Sequence, residues 1–231
     1  MSKIPNYKIV IIGESNSINL FLTPIIGMVG KTSLSKRFIT GKFVKIDIKD
    51  RTVNTNCYQK RIQINNSIIN LNVWDTAGEE KYHAMAPIFY RGAEGAVVIF
   101  DVTKKETFNR ATKWFQELND FAEGNPKIIL VGNKIDLPNR AVSNQEAISL
   151  AKQYNCNFLE VSALEGTNVN EVFNLLTSDI YNSKKKISHE MSNGSNELDY
   201  SNKKNRGKKL NIEENDDNDN LPSENRKGAC C

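Results

Sequence analysis

Gly30-Lys31-Thr32-Ser33 sets a glycine, an ammonium group and two hydroxyls in succession. At the start of a helix, backbone N–H groups attract phosphate oxygens. Lys31 would add a point charge near β and γ phosphates, and the Thr32 hydroxyl can ligate Mg²⁺. A second segment, Trp74-Asp75-Thr76-Ala77-Gly78, ends a strand in a carboxylate and then a residue with no side chain. Asp75 suits a water-mediated hold on Mg²⁺, and Gly78 lets a backbone N–H approach a γ-phosphate closely. The third is Asn133-Lys134-Ile135-Asp136. A carboxylate there can accept from the ring N–H and the exocyclic amine of guanine, whereas adenine would leave it unpaired. Ser162-Ala163 could close over the base through backbone N–H groups. Taken singly each segment has a plainer reading, since a bare GKT is short and an Asp at a strand end is usually a turn residue. Their conjunction, in this order, points to a guanine nucleotide pocket.

The elements that must position these residues follow from hydrophobic period. Strands are predicted at Tyr7 to Ile12, Cys57 to Ile64, Ile68 to Trp74, Ala96 to Asp101, Lys127 to Gly132 and Asn157 to Val161. Helices are predicted at about Thr32 to Thr40, Met85 to Arg91, Thr107 to Glu123, Asn144 to Tyr154 and Val169 to Tyr181. Asn65-Asn66 between two strands reads as a hairpin, which supplies one antiparallel edge. The rest alternates, so the expected class is α/β: a mostly parallel six-stranded sheet with helices on both faces. Such sheets bind ligands at the carboxyl ends of their strands, where each of the three segments falls.

The chain has 231 residues, 39% of them hydrophobic and 25% charged, which suits one ordinary domain with a long appendage. Lys and Arg number 31 against 27 Asp and Glu, a net charge of +4 too slight and dispersed to argue for a nucleic-acid partner. Cys57, Cys156 and the adjacent Cys230 and Cys231 offer neither a disulfide framework nor metal-ligand spacing, and the chain reads as intracellular. Lys3 and Lys8 precede apolar residues, but Gly13-Glu14-Ser15-Asn16 interrupts any signal-peptide run. From Asn182 onward Asn, Ser, Lys, Asp and Glu prevail, too few apolar groups to offset about 1 to 2 kcal/mol of backbone entropy per residue. The expected division is a folded domain over residues 1 to 181 and a disordered tail over 182 to 231.

Across about residues 5 to 181 the sequence resembles the Rab family of small GTPases, with the P-loop NTPase G-domain fold. Trp74 to Gly78, Tyr82-His83, Ala86-Pro87, Tyr90-Arg91, Lys113-Trp114, Glu117-Leu118 and Val131 to Asp136 are most similar to the early-endosomal branch, and Gly228-Ala229-Cys230-Cys231 resembles the family's double geranylgeranylation signal. The resemblance implies a GTP/GDP switch in vesicle trafficking, binding GTP and GDP with Mg²⁺ and hydrolysing GTP. It implies an exchange factor, an activating protein, a GDP-dissociation inhibitor, an escort protein, a geranylgeranyl transferase and GTP-state effectors. A monomer on the cytoplasmic face of endocytic membranes, with a cytosolic pool, would follow. Thr52 falls where the switch threonine ligates Mg²⁺; switch I would span about Phe43 to Cys57 and switch II about Ala77 to Phe89. Val53, Cys57, Trp74 and Phe89 fall in effector-contacting places, with Cys57 replacing one aromatic of a triad. Two prenyl chains on Cys230 and Cys231 would anchor where a single short lipid would not.

Two departures bear on chemistry. The phosphate-loop form needs a glycine five positions before Gly30, where Ile25 stands. Removing Ser17 to Met28 restores Gly13-Glu14-Ser15-Asn16-Val29-Gly30-Lys31-Thr32, so twelve residues stand as an insertion; removing Ile18 to Val29 also leaves four residues between the glycines. The stretch is absent from the working protein, or loops out above an intact cradle, or marks lost nucleotide affinity, the first being favoured because every other site segment is present. Glu79 occupies the place of the family's water-orienting Gln. A glutamate accepts from that water but cannot donate, and its charge faces an anionic γ-phosphate, so slow hydrolysis is expected. The alternative to a working switch is a membrane-tethered scaffold impaired in hydrolysis or nucleotide binding.

Overall fold

The computed structural model describes residues 4–14, 28–46, 55–76 and 86–202, with side chains described for all of these except 86–87 and 189–202. The chain divides into a compact unit of residues 1–186 and a second of residues 187–231. In the first, strands β1 (Asn6–Ile12), β2 (Asn56–Ile64), β3 (Ser67–Asp75), β4 (Gly95–Asp101), β5 (Lys127–Asn133) and β6 (Asn157–Val161) form one sheet in the order β2-β3-β1-β4-β5-β6. All neighbouring pairs are parallel except β2 with β3. The Asn65-Asn66 turn joins that antiparallel pair, with Ile64 opposite Ser67 and Asn65 at φ 51°. The short polar Asn tolerates this left-handed conformation.

Period-two patterning explains how one central strand serves two cores. Tyr7, Ile9 and Ile11 of β1 enter one apolar cluster, while Val10 and Ile12 enter the other. Strand β4 divides the same way, Val97 and Ile99 against Ala96, Val98 and Phe100, so both strands read as continuous apolar runs buried on both faces. Helix α1 (Lys31–Thr40) and the first turns of α6 (Val169–Asn202) cover the first face, where Phe38 stacks on Phe173 with centroids 3.8 Å apart. Helices α3 (Lys105–Asn109), α4 (Ala111–Phe121) and α5 (Asn144–Gln153) cover the second, with the short α2 (Ala86–Tyr90) leading in. Fully buried side chains such as Phe38, Phe100 and Ile9 each contribute about 1.5 to 3 kcal/mol. Trp114 and Phe115 of α4 are both buried in this second cluster.

Two expectations are corrected. The single helix expected over Thr107 to Glu123 is two, because at Arg110 the chain tightens: Lys113 N–H bonds the Arg110 carbonyl at 3.1 Å, a three-residue turn between α3 and α4. The last helix does not stop at Tyr181 but continues to Asn202, and the compact unit ends at Lys186. No proline interrupts residues 182 to 202, and Lys, Glu, Met, Ile and Leu among them are compatible with helix. The tail from Lys203 to Cys231 lies outside the described residues. Among the described residues no helix is long and apolar enough to cross a membrane.

Candidate guanine nucleotide site

The sheet order brings the carboxyl ends of β1, β3, β4, β5 and β6 to one edge, and the segments singled out above meet there. β1 ends at Ile12 and delivers Gly13 and Glu14; the chain returns at Met28 and Val29 to open α1 at Lys31. Although residues 15–27 lie outside the described part, their two flanks are neighbours, with the Val29 N–H 3.5 Å from the Glu14 carbonyl. The Lys31 ammonium reaches back across this junction and donates to the Gly13 carbonyl at 2.7 Å.

The two glycines flanking that junction are demanded by contact. Gly13 lies so close to β4 that a Cβ would stand 2.3 Å from the Ile99 carbonyl oxygen. Gly30 has φ 95°, and a Cβ there would stand 2.5 Å from Asn133 Nδ2. Gly30 is also the N-cap of α1, and no side chain caps the first turn. The positive end of the helix dipole is therefore presented with Lys31 beside it, a setting that favours an anion. Burial pushes the Lys31 pKa down to about 8, against the upward pull of Asp75 and Glu14. An arriving phosphate would add counter-charge beside this ammonium and favour its charged form.

Asp75, at the end of β3, is fully buried, and among the described residues its carboxylate has the Thr32 hydroxyl as its hydrogen-bonding neighbour, with acceptor capacity to spare. Burial raises its pKa, opposed by Thr32, Lys31 and Lys36 in turn. A buried carboxylate with unused acceptors beside a threonine hydroxyl is the donor set that a hard, oxygen-seeking cation takes. Among the described residues no group of three or more His, Cys, Asp or Glu could hold a metal alone. Mg²⁺ fits such a set, because it is commonly held by one or two protein oxygens together with substrate phosphates. Thr76, next in sequence, donates its hydroxyl to the Ile11 carbonyl at 2.8 Å and ties β3 to β1.

The base side is a network around Asn133, which is 2% exposed at the end of β5. Its Nδ2 donates to the Val29 carbonyl at 2.8 Å, and its Oδ1 accepts the Ala163 N–H at 3.2 Å, so one side chain joins the loops after β1, β5 and β6. Lys134, held at φ 73°, donates to the Met28 carbonyl and pairs with Asp101 Oδ2, each at 2.7 Å. Asp136 accepts from the Ser162 hydroxyl at 2.6 Å, which leaves its second oxygen as acceptor for a base edge. Ser162 and Ala163 are both buried in the loop after β6, as a lid on the base requires.

The structure thus gathers Gly13, Glu14, Val29, Gly30, Lys31, Thr32, Asp75, Asn133, Lys134, Asp136, Ser162 and Ala163 at one edge. Ser33 stands on α1 but turns its hydroxyl to the Val44 carbonyl at 3.2 Å. Ser15, Asn16, Thr52, Val53, Gly78, Glu79, Cys230 and Cys231 lie outside the described residues. Of the effector-surface residues, Cys57 and Trp74 are direct cross-strand partners and so share a sheet face. Trp74 and Phe89 pack against the same apolar cluster. Sequence reasoning missed three residues. Asp101 pairs with Lys134, Arg110 pairs with the buried Glu14 at 2.9 Å, and Arg37 binds the loop after β6. Asp101 ends its strand as Asp75 does, and that position was the available signal.

A family model described as "Ras family" matches residues 24–182. The match begins inside the extra segment, so β1 falls outside it although β1 is central in the sheet. The chain is 34% identical to Ras-related protein RABA2b of Arabidopsis thaliana, over 97% of this chain and 94% of that one. It is 38% identical to Ras-related protein RABA2a of the same plant, over 79% of each. By the family model and these relatives together, the chain belongs to the Rab branch of the Ras family of small GTPases, GTP-hydrolysing proteins that switch between GTP and GDP states in membrane trafficking.

Proposed function

We propose that the protein is a Mg²⁺-dependent GTP/GDP switch of endocytic vesicle traffic whose pocket survives the extra segment after Asn16. The observation that carries this reading is the Asn133 side chain, which holds the Val29 carbonyl and the Ala163 N–H at once. The contact between Lys31 and Gly13 supports the same view, since the two ends of a phosphate loop meet across the extra residues. Lys31 and the N-terminus of α1 bind the phosphates, and Asp136 selects guanine. Thr32 and Thr52, with Asp75 acting through water, would hold Mg²⁺, which supplies charge neutralisation at the β and γ oxygens. Thr52 and Gly78 would sense the γ-phosphate and reshape the effector surface at Val53, Cys57, Trp74 and Phe89. Exchange factor, activating protein, GDP-dissociation inhibitor, escort protein and effectors are the partners of such a cycle. Geranylgeranyl groups on Cys230 and Cys231 would attach it to the cytoplasmic face of early endosomes, an assignment that rests on the resemblance of residues 74 to 91.

Titration of the purified full chain with fluorescent GDP and GTP in Mg²⁺, against adenosine analogues, tests the reading. Saturable binding of guanine forms alone supports it; an empty pocket, or equal uptake of adenosine forms, overturns it. Glu79 and the twelve extra residues favour a second reading, a tethered scaffold with impaired hydrolysis or loading. Weak binding that recovers when Ser17 to Met28 is deleted would select that one.

A further inference from the structure

A residue of the phosphate-side helix also holds the base-side loop. Arg37, in the last turn of α1, donates from Nη2 to the Glu165 carbonyl at 2.7 Å. The next residue, Gly166, has φ +90° and lies directly against the guanidinium: a Cβ there would stand 2.4 Å from Arg37 Nη2 and 2.8 Å from Nε. Glu165 donates its N–H to the Ser162 hydroxyl oxygen at 3.0 Å, and that hydroxyl donates to Asp136 Oδ1 at 2.6 Å. Gly166 closes the turn with its N–H on the Ser162 carbonyl at 2.8 Å. An unbroken chain of contacts therefore runs from α1 through the Glu165-Gly166 turn and Ser162 to the carboxylate that faces the base.

We propose that Arg37 is a positioning residue for guanine recognition, fixing the Glu165-Gly166 turn so that Ser162 keeps the Asp136 carboxylate aimed at the base. The idea rests on the nucleotide-switch reading above and adds to it a coupling between the phosphate helix and base selection. A carboxylate on a flexible stem discriminates between bases only while it is kept aimed at the two donors of guanine. One oxygen is already committed to Ser162, so the direction of the other follows the loop. A charge-assisted bond from a guanidinium suits this task, because its planar donors restrict the carbonyl they hold in orientation as well as distance.

The test uses the full chain and three variants, Arg37→Ala, Arg37→Lys and Gly166→Ala, the last disturbing the turn and its guanidinium contact together, since a methyl there meets both the φ of +90° and Nη2 at 2.4 Å, while Arg37 itself is kept. Competition of GDP and inosine diphosphate against fluorescent GDP is read together with the melting temperature. Inosine lacks the exocyclic amine that Asp136 would accept, so the GDP-to-IDP affinity ratio reports the aim of that carboxylate. We expect the ratio to fall by about three- to tenfold in Arg37→Ala and Gly166→Ala, the scale of one weakened hydrogen bond to a charged group, with Arg37→Lys recovering most of it. A purely structural staple predicts a lower melting temperature with the ratio unchanged, and that result overturns the proposal. If the parent prefers GDP to ADP while Arg37→Ala keeps the parent ratio, only this inference fails. If the parent binds no guanine nucleotide, the switch reading fails and takes this one with it.

Discussion

Removing the Asn133 side chain tests the pocket where three loops depend on a single group. Asn133→Ala leaves the Val29 carbonyl and the Ala163 N–H without their partner in a region that is closed to solvent, Val29 being 0% and Ala163 4% exposed. Each unsatisfied buried group costs about 1 to 3 kcal/mol, so with two of them the folded, loaded state should lose about 2 to 6 kcal/mol. That is within the roughly 5 to 15 kcal/mol by which domains are stable, so the variant should fold. Part of the loss falls on the empty protein and part on the complex, where both loops must close on the nucleotide. If about 1.4 to 4 kcal/mol falls on the complex, GDP release quickens by about 10- to 1,000-fold. Asn133→Asp keeps an acceptor for Ala163 but sets an oxygen against the Val29 carbonyl, and should release GDP quickly as well. The assay is the decay of fluorescent GDP signal after a chase with excess unlabelled GDP, with thermal melting run alongside. A melting temperature that falls while the release rate stays within about twofold of the parent would show that the network braces the fold only, and would refute its role in nucleotide retention.

Other perturbations address separate parts. Arg110→Ala strands the carboxylate of Glu14, which is 3% exposed while its partner is 34% exposed, and should cost about 1 to 3 kcal/mol in chemical denaturation; Glu14→Gln in the same chain should restore much of it, and strict additivity would dismiss the pair. Chelation of Mg²⁺ should speed GDP release from the parent by about tenfold or more and have little further effect on Asp75→Asn; equal chelator sensitivity in both would remove Asp75 from the metal site. Glu79→Gln should raise single-turnover phosphate release from GTP, and an unchanged rate would refute a role at that position. Glu146 is held down to about 2 by Lys105 and by Ser143 of its capping box. A carboxyl lowered in the folded state gives stability that is present above its ordinary value of 4.5 and is lost as pH falls through about 2. The stability gap between parent and Glu146→Gln should close over that window, and a gap independent of pH would contradict the assignment.

Local pattern carried a great deal of this protein. Near-continuous apolar runs along Tyr7 to Ile12 and Ala96 to Asp101 mark strands buried on both faces, and strand ends followed by Asp75, Asn133 and Asp136 mark the ligand edge, because side-chain period and turn chemistry are properties of neighbouring residues. The break at Arg110 and the helix running on to Asn202 were not legible in that way. A tightened turn takes its geometry from what packs around it, and a polar helical segment differs little in composition from a linker. The candidate site shows the same division. Lys31 and Asp136 announce their chemistry by type and spacing. That Lys31 reaches back to Gly13, that Arg110 neutralises Glu14, that Lys134 meets Asp101 and that Arg37 grips the turn beside Gly166 follow only once the order β2-β3-β1-β4-β5-β6 sets distant strand ends side by side. Contacts between residues far apart in the chain are chosen by how the sheet closes and which helix covers which face, a global packing outcome that no window of neighbouring residues contains.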